Sequence, residues 1–220
     1  MSNSIFIIAT LSLFTLLPFI ISAGTCFIKI SIVFVIVRNA LGLQQVPSNM
    51  TINGIALLLS IFIMMPVAKD IYITSQEEQV SFEDVSSVVN FINTGLDGYK
   101  NYLQKYADLE LVNFFENAKS SSPELTGYDT DEKNQASLAS LLPAYALSEI
   151  QSAFKIGFYI YLPFVVVDLV ISSILLTLGM MMMSPVTIST PVKLILFVAL
   201  DGWTLLSKGL VLQYLDLAGT

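Results

Sequence analysis

Histidine is absent from the 220 residues, and cysteine occurs once, at Cys26. The first absence removes the commonest general base, the Ser–His and Cys–His nucleophile pairs, and most zinc and haem sites. The second excludes an internal disulfide or a cysteine cluster. Charge is scarce too. Charged residues make up 12% of the chain and hydrophobic ones 55%, whereas a soluble domain carries roughly 25% charged residues. A formal charge of −7 argues against nucleic acid as a partner, because that needs clustered Lys and Arg. No phosphate-binding Gly-rich loop with its lysine is present. The composition therefore points to a membrane protein, not an enzyme, with no catalytic, cofactor-binding or metal-binding residues expected.

Apolar length organises what is there. About 20 apolar residues in a helix cross a ~30 Å hydrocarbon core. Residues 1–28 carry no charge, nor do residues 39–68. A third apolar stretch, Ile156 to Met183, is broken only by Asp168, and a fourth, Val192 to Leu217, contains Lys193, Asp201, Lys208 and Asp216. The expected fold is an all-α membrane protein of about four long, kinked hydrophobic helices, forming two hairpins. Residues 1–68 make the first hairpin and 143–220 the second, with an acidic helical extramembrane insert over 69–142. Pro18 and Pro163 fall inside apolar runs and are expected to kink them. The first run lacks the basic residues that precede the core of a secretory signal, so it is expected to remain as a helix.

The acidity is local. Lys69 to Gln135 holds 13 acidic and 5 basic residues, while the rest of the chain holds 4 and 5. Lys29 and Arg38 lie by one short loop and Lys193 by the other. Positive-inside bias then puts both short loops in the cytoplasm and the insert with both termini outside. Within the insert, Val85, Val88, Val89, Ile92, Leu96, Tyr99, Leu103 and Tyr106 recur at helical spacing. That stripe is expected to pack within the insert rather than to form a peptide groove. Asp108 is the expected N-cap of a second short helix with Leu111, Val112 and Phe115 inward. Residues 119–135, rich in Ser, Asp, Glu, Pro and Gly, read as a mobile linker.

Ionisable groups inside apolar helices cost a few kcal/mol each on insertion scales, so they are paired or face water. The candidates are Lys29, Glu149, Lys155, Asp168, Lys193, Asp201 and Lys208. A proton or ion relay, as in a secondary transporter with Asp168 and Glu149 as midplane carboxylates, is one reading. Inter-helix or inter-subunit ion pairs are the other, favoured because a relay wants His or carboxylates in series. A transporter would also show internal repeats, and none is evident. Met180, Met181, Met182 and Met183 form an unbroken run between Gly179 and Ser184-Pro185. Four successive helical residues sweep most of the circumference, and Gly before with Ser-Pro after marks a helix-to-loop break. Flexible thioethers suit a surface that closes and yields. Plain apolar filler at a helix end fits the spacing equally well.

Three stretches carry a resemblance: PAYALSEIQSAFKIGF from Pro143, PVKLILFVALDGW from Pro191, and FIKISIVFVIVRNALG from Phe27 followed by Gln44 and Gln45. They resemble the FliP/SctR family of export-apparatus proteins of flagellar and virulence type III secretion systems. GLQQ, LLPAYALSEI and GMMMMSPVTISTP bring the chain nearest to the injectisome members. The resemblance implies a multipass protein of the bacterial inner membrane at the base of a secretion machine, with the acidic insert on the periplasmic side. It implies a gated channel of about five copies, with SctS/FliQ-type and SctT/FliR-type membrane subunits, that exports unfolded proteins. It gives Met180 to Met183 the role of a pore gasket, and it matches Lys29 and Glu149 to the family's basic and acidic motif residues. An ion pair between those two, within or between subunits, is the expected register element.

Overall fold

The computed structural model describes residues 11, 15, 18–77, 95–120 and 136–215. The described residues are helical and contain no strand. In chain order the helices are α1 (Pro18–Gly24), α2 (Phe27–Ala40), α3 (Asn49–Glu77), α4 (Asp97–Tyr106), α5 (Leu109–Ser120), α6 (Leu138–Thr177), α7 (Pro185–Ala199) and α8 (Gly202–Leu215). Two of them, α3 and α6, are long and apolar enough to cross a membrane. The count rises to four if the interrupted pairs α1–α2 and α7–α8 are each one span. The expectation of an all-α membrane protein with about four hydrophobic segments holds. The stripe positions 85–92 and nearly all of the expected linker lie outside the described residues.

Local chemistry sets the helix ends. Ser48 caps α3, its Oγ accepting from the Thr51 amide at 3.2 Å, the usual N-cap to third-residue bond. Asp108 caps α5 as expected, with its carboxylate accepting from the Glu110 amide at 2.8 Å. The C-termini of α2 and α6 share one motif. Gly42 and Gly179 take φ of +77° and +74°. The amide of the following residue reaches back five positions: Leu43 to Arg38 O at 3.2 Å and Met180 to Leu175 O at 3.0 Å. This left-handed stop is almost free of strain only for glycine.

The prolines inside α3, α6 and α7 do not interrupt those helices. Helix α6 runs unbroken past Pro143 and Pro163, and α3 past Pro66. One missing N–H frees one carbonyl, and the helix continues on either side. Between α7 and α8 the axis turns by 59°. There Asp201 has φ +50°, which no residue inside an α-helix can keep. Asp201 stands just ahead of α8, its carbonyl accepting from the Leu205 amide at 3.0 Å.

Contacts gather into two units. One comprises Met1–Ile28 and Met64–Ile150, the other Lys29–Ile63 and Gln151–Thr220. In the first, the start of α6 buries Leu141, Ala144, Tyr145, Ser148 and Glu149, a three- and four-residue stripe. In the second, α2 buries Ile30, Val33, Phe34 and Val37 on one face, and α7 buries Ser189, Lys193 and Phe197 at four-residue steps. The long helices keep large apolar side chains outward, among them Leu58, Phe62, Phe158 and Leu169. Water does not favour such faces, whereas lipid or neighbouring protein does.

Candidate functional site

The four methionines occupy the turn between α6 and α7, in the second unit. Gly179 ends α6 in the left-handed conformation, Met183 N–H returns to Met180 O at 3.3 Å, and Pro185 begins α7 behind Ser184. The run is thus a tight turn and not a stretch of helix. Its side chains all point outward: Met180 is 40% exposed, Met181 80%, Met182 105% and Met183 46%. The turn presents a continuous apolar, deformable tip, a chemistry suited to sealing against other such tips.

Behind that tip, a lysine joins three helices. Lys193 of α7 is only 4% exposed. Its ammonium donates to the Asp168 carboxylate of α6 at 2.5 Å and to the Ala40 carbonyl at the end of α2 at 3.1 Å. The second acceptor belongs to the last turn of a helix, where carbonyls lack intrahelical partners and the dipole favours a cation. Asp168 itself is partly exposed. Nearby, Arg38 fastens the loop after α2, donating to Pro47 O at 3.2 Å and to Asn49 Oδ1 at 2.6 Å.

The remaining candidate charges separate by burial. Lys29 is 2% exposed, and its ammonium stands 4.7 Å from the Tyr214 ring centroid, within cation–π range. Lys155, Asp201 and Lys208 are exposed on the single chain. Asp201 accepts from Thr204 Oγ1 at 3.0 Å. Trp203, directly after the break, meets Phe34 and Phe197 edge-on, with centroids 5.8 and 5.3 Å apart. Next to them an apolar groove of about 600 Å³ opens between α6, α7 and α8, lined by Ile156, Pro163, Phe197, Leu205 and Leu210.

Glu149 belongs to the first unit, 1% exposed, beside a tyrosine cluster. Tyr102 of α4 and Tyr145 of α6 share a buried hydroxyl–hydroxyl bond at 2.7 Å, and Tyr99 Oη donates to the Gly24 carbonyl at 2.8 Å. The apolar stripe of α4 therefore packs on α6 and on the end of α1, not only within the insert. Burial pushes the Tyr99 phenol up to about 12 and that of Tyr102 higher still. For Tyr102 the acidic neighbours Cys26 and Glu149 add to the rise. Gly24 has no room for a side chain: a Cβ there would collide with the Tyr99 hydroxyl.

At the foot of α6, Glu116 accepts from the Ser137 amide at 2.8 Å. Burial raises its carboxyl, but hydrogen bonds from Ser140 and Ser137 outweigh that and hold it below its ordinary value. Tyr102 and Tyr145 escaped the sequence reading because they stand 43 residues apart. The pairing of Asp168 with Lys193 was available from the hairpin, since the two lie at similar distances on either side of the methionine turn. Among the described residues no group of acidic or cysteine side chains could hold a metal ion.

The family model "FliP family" matches residues 10–210. The surface presentation of antigens protein SpaP of Salmonella typhimurium is 66% identical over 99% of this chain and 100% of its own length. SpaP of Shigella flexneri is 60% identical over 99% of both chains. The Yop proteins translocation protein R of Yersinia pestis is 46% identical over 96% of this chain and 97% of its own. An all-helical membrane protein with this turn, these buried charges and these relatives belongs to the FliP family.

Proposed function

We propose that the chain is a core, non-enzymatic subunit of a type III secretion export apparatus in the bacterial inner membrane. About five copies, with SctS/FliQ-type and SctT/FliR-type membrane subunits, form a gated channel that conducts unfolded proteins outward. The acidic insert lies on the periplasmic side. Energy comes from partner proteins, because this sequence has no phosphate-binding loop. The names of the relatives, which speak of translocation and antigen presentation, support the secretion role.

The observation that carries the reading is the methionine turn. Four consecutive large apolar side chains stand outward at a hairpin tip, a surface that water does not favour. Copies arranged about an axis bring these tips together, where their unbranched thioethers close the passage and give way to a passing chain. Replacing Met180, Met181, Met182 and Met183 by Ala in the assembled complex tests this. Small-ion leakage across the membrane is expected to rise, and unchanged conductance would remove the gasket role.

A further inference from the structure

The methionine tip is exposed, yet the helix on its C-terminal side is tied down a short way behind it. The first fully buried side chain after the turn is Ser189. At that level the end of α2, α6 and α7 meet in one collar. Gly42 closes α2 with φ +77°, and a Cβ added there would lie 2.6 Å from Thr190 Oγ1 of α7. Thr190 Oγ1 is held in place, donating to Val186 O at 2.8 Å. One helical turn further along α7, Lys193 bonds to Ala40 O and to Asp168.

Two features of the collar exceed what the helix ends alone require. Asparagine also tolerates the left-handed conformation at a helix stop, but any Cβ here meets the Thr190 hydroxyl, which would have to move. Gly42 is therefore demanded by conformation and by close approach. Lys193, for its part, already has a carboxylate partner, and its second bond grips the main chain of α2. Both contacts fix the distance between the α2 terminus and α7. Thr190 lies five residues beyond Pro185, the first residue of α7, about 8 Å along the helix, so a shift of α7 against α2 is carried to the methionine turn.

We infer that Gly42, Thr190 and Lys193 are positioning residues for the methionine turn, setting the stand-off of α7 from the end of α2 and hence where the tip closes. This rests on the reading of the turn as a seal. The test uses the full chain in its assembled complex, with M182C as a reporter of the tip. Gly42→Ala is expected to change the rate of thiol modification at that cysteine and the ion leak by about threefold or more, a coupling of ordinary size. Adding Thr190→Ala, which removes the obstructing hydroxyl, is expected to bring both readouts back toward the parent. A defect that came from backbone strain at Gly42 alone would not respond to a change on α7.

Two results overturn the inference: both readouts unmoved by Gly42→Ala, or a change that Thr190→Ala leaves untouched. Should Gly42→Ala prevent assembly, Thr190→Ala and Lys193→Met alone serve. Each loosens the collar without crowding it, and both being silent at M182C overturns the inference equally. The seal is judged apart from this, by the four-alanine variant. A leak there with silent collar variants leaves the gasket standing and removes only the positioning role.

Discussion

Lys193 Nζ stands between two acceptors of different kinds, the Asp168 carboxylate at 2.5 Å and the Ala40 carbonyl at 3.1 Å. The partners differ in solvent access, and this sets an order of damage. Asp168→Ala leaves a buried ammonium with one neutral acceptor and is expected to cost about 2–3 kcal/mol. Lys193→Met leaves a carboxylate on a side chain that is partly exposed, although its Oδ1 is buried, so the cost is expected to be nearer 1 kcal/mol. Thermal unfolding of the purified complex measures both. The reverse ranking would mean that Asp168, not Lys193, bears the desolvation.

The Tyr102–Tyr145 pair lends itself to a double-mutant cycle. Removing either hydroxyl takes away a bond that the other makes in a buried site, and each Phe variant is expected to cost about 1–1.5 kcal/mol. The bond they share is lost only once in the double variant, which should fall short of the sum by about 0.5–1 kcal/mol. Strict additivity in chemical denaturation would show that the two hydroxyls do not depend on each other.

Glu116 gives a pH dependence whose sign is fixed. Its carboxyl in the folded chain lies below the ordinary value of 4.5. The unfolded chain therefore takes up the proton first as pH falls. The contribution is present above 4.5 and is lost as pH drops through the lower folded value. Glu116 is partly solvated, so the advantage over Glu116→Gln at neutral pH should stay under about 1 kcal/mol. It should shrink only in the acid range. A stability difference that is flat with pH would contradict the hydrogen-bonding argument.

Lys29 and Glu149 are both almost fully buried, and the register pair proposed for them predicts an asymmetric rescue. Lys29→Glu and Glu149→Lys are each expected to reduce the recovered complex about tenfold or more, as a buried unpaired charge costs 3–5 kcal/mol. Their combination should restore part of it. A double swap that recovers no more complex than the single variants rules the pairing out.

Much of this fold could be read in the sequence, for reasons that differ by residue. Apolar length marked the helices, Gly179 with Ser184-Pro185 marked the hairpin tip, and Asp108 marked a cap, because each signal is local. The break at Asp201 was hidden. In an Asp-Gly pair glycine is the natural owner of a positive φ, but here aspartate takes it. Pro163 sits within unbroken helix, because one lost N–H does not by itself end a helix. The charges were visible as a class, but the burial of Lys193 and the exposure of Lys155 and Lys208 depend on which helix faces which. That information lies in pairs of distant residues. The tyrosine contact between Tyr102 and Tyr145 is of the same kind.

The mass of the intact complex, extracted gently and weighed by native mass spectrometry, bears most directly on the proposal that these helices are completed by sister copies around a passage. About five copies of the 220-residue chain bound to two kinds of small membrane subunit is the expected result. A chain that remains single in detergent while the secretion machine still exports would contradict it.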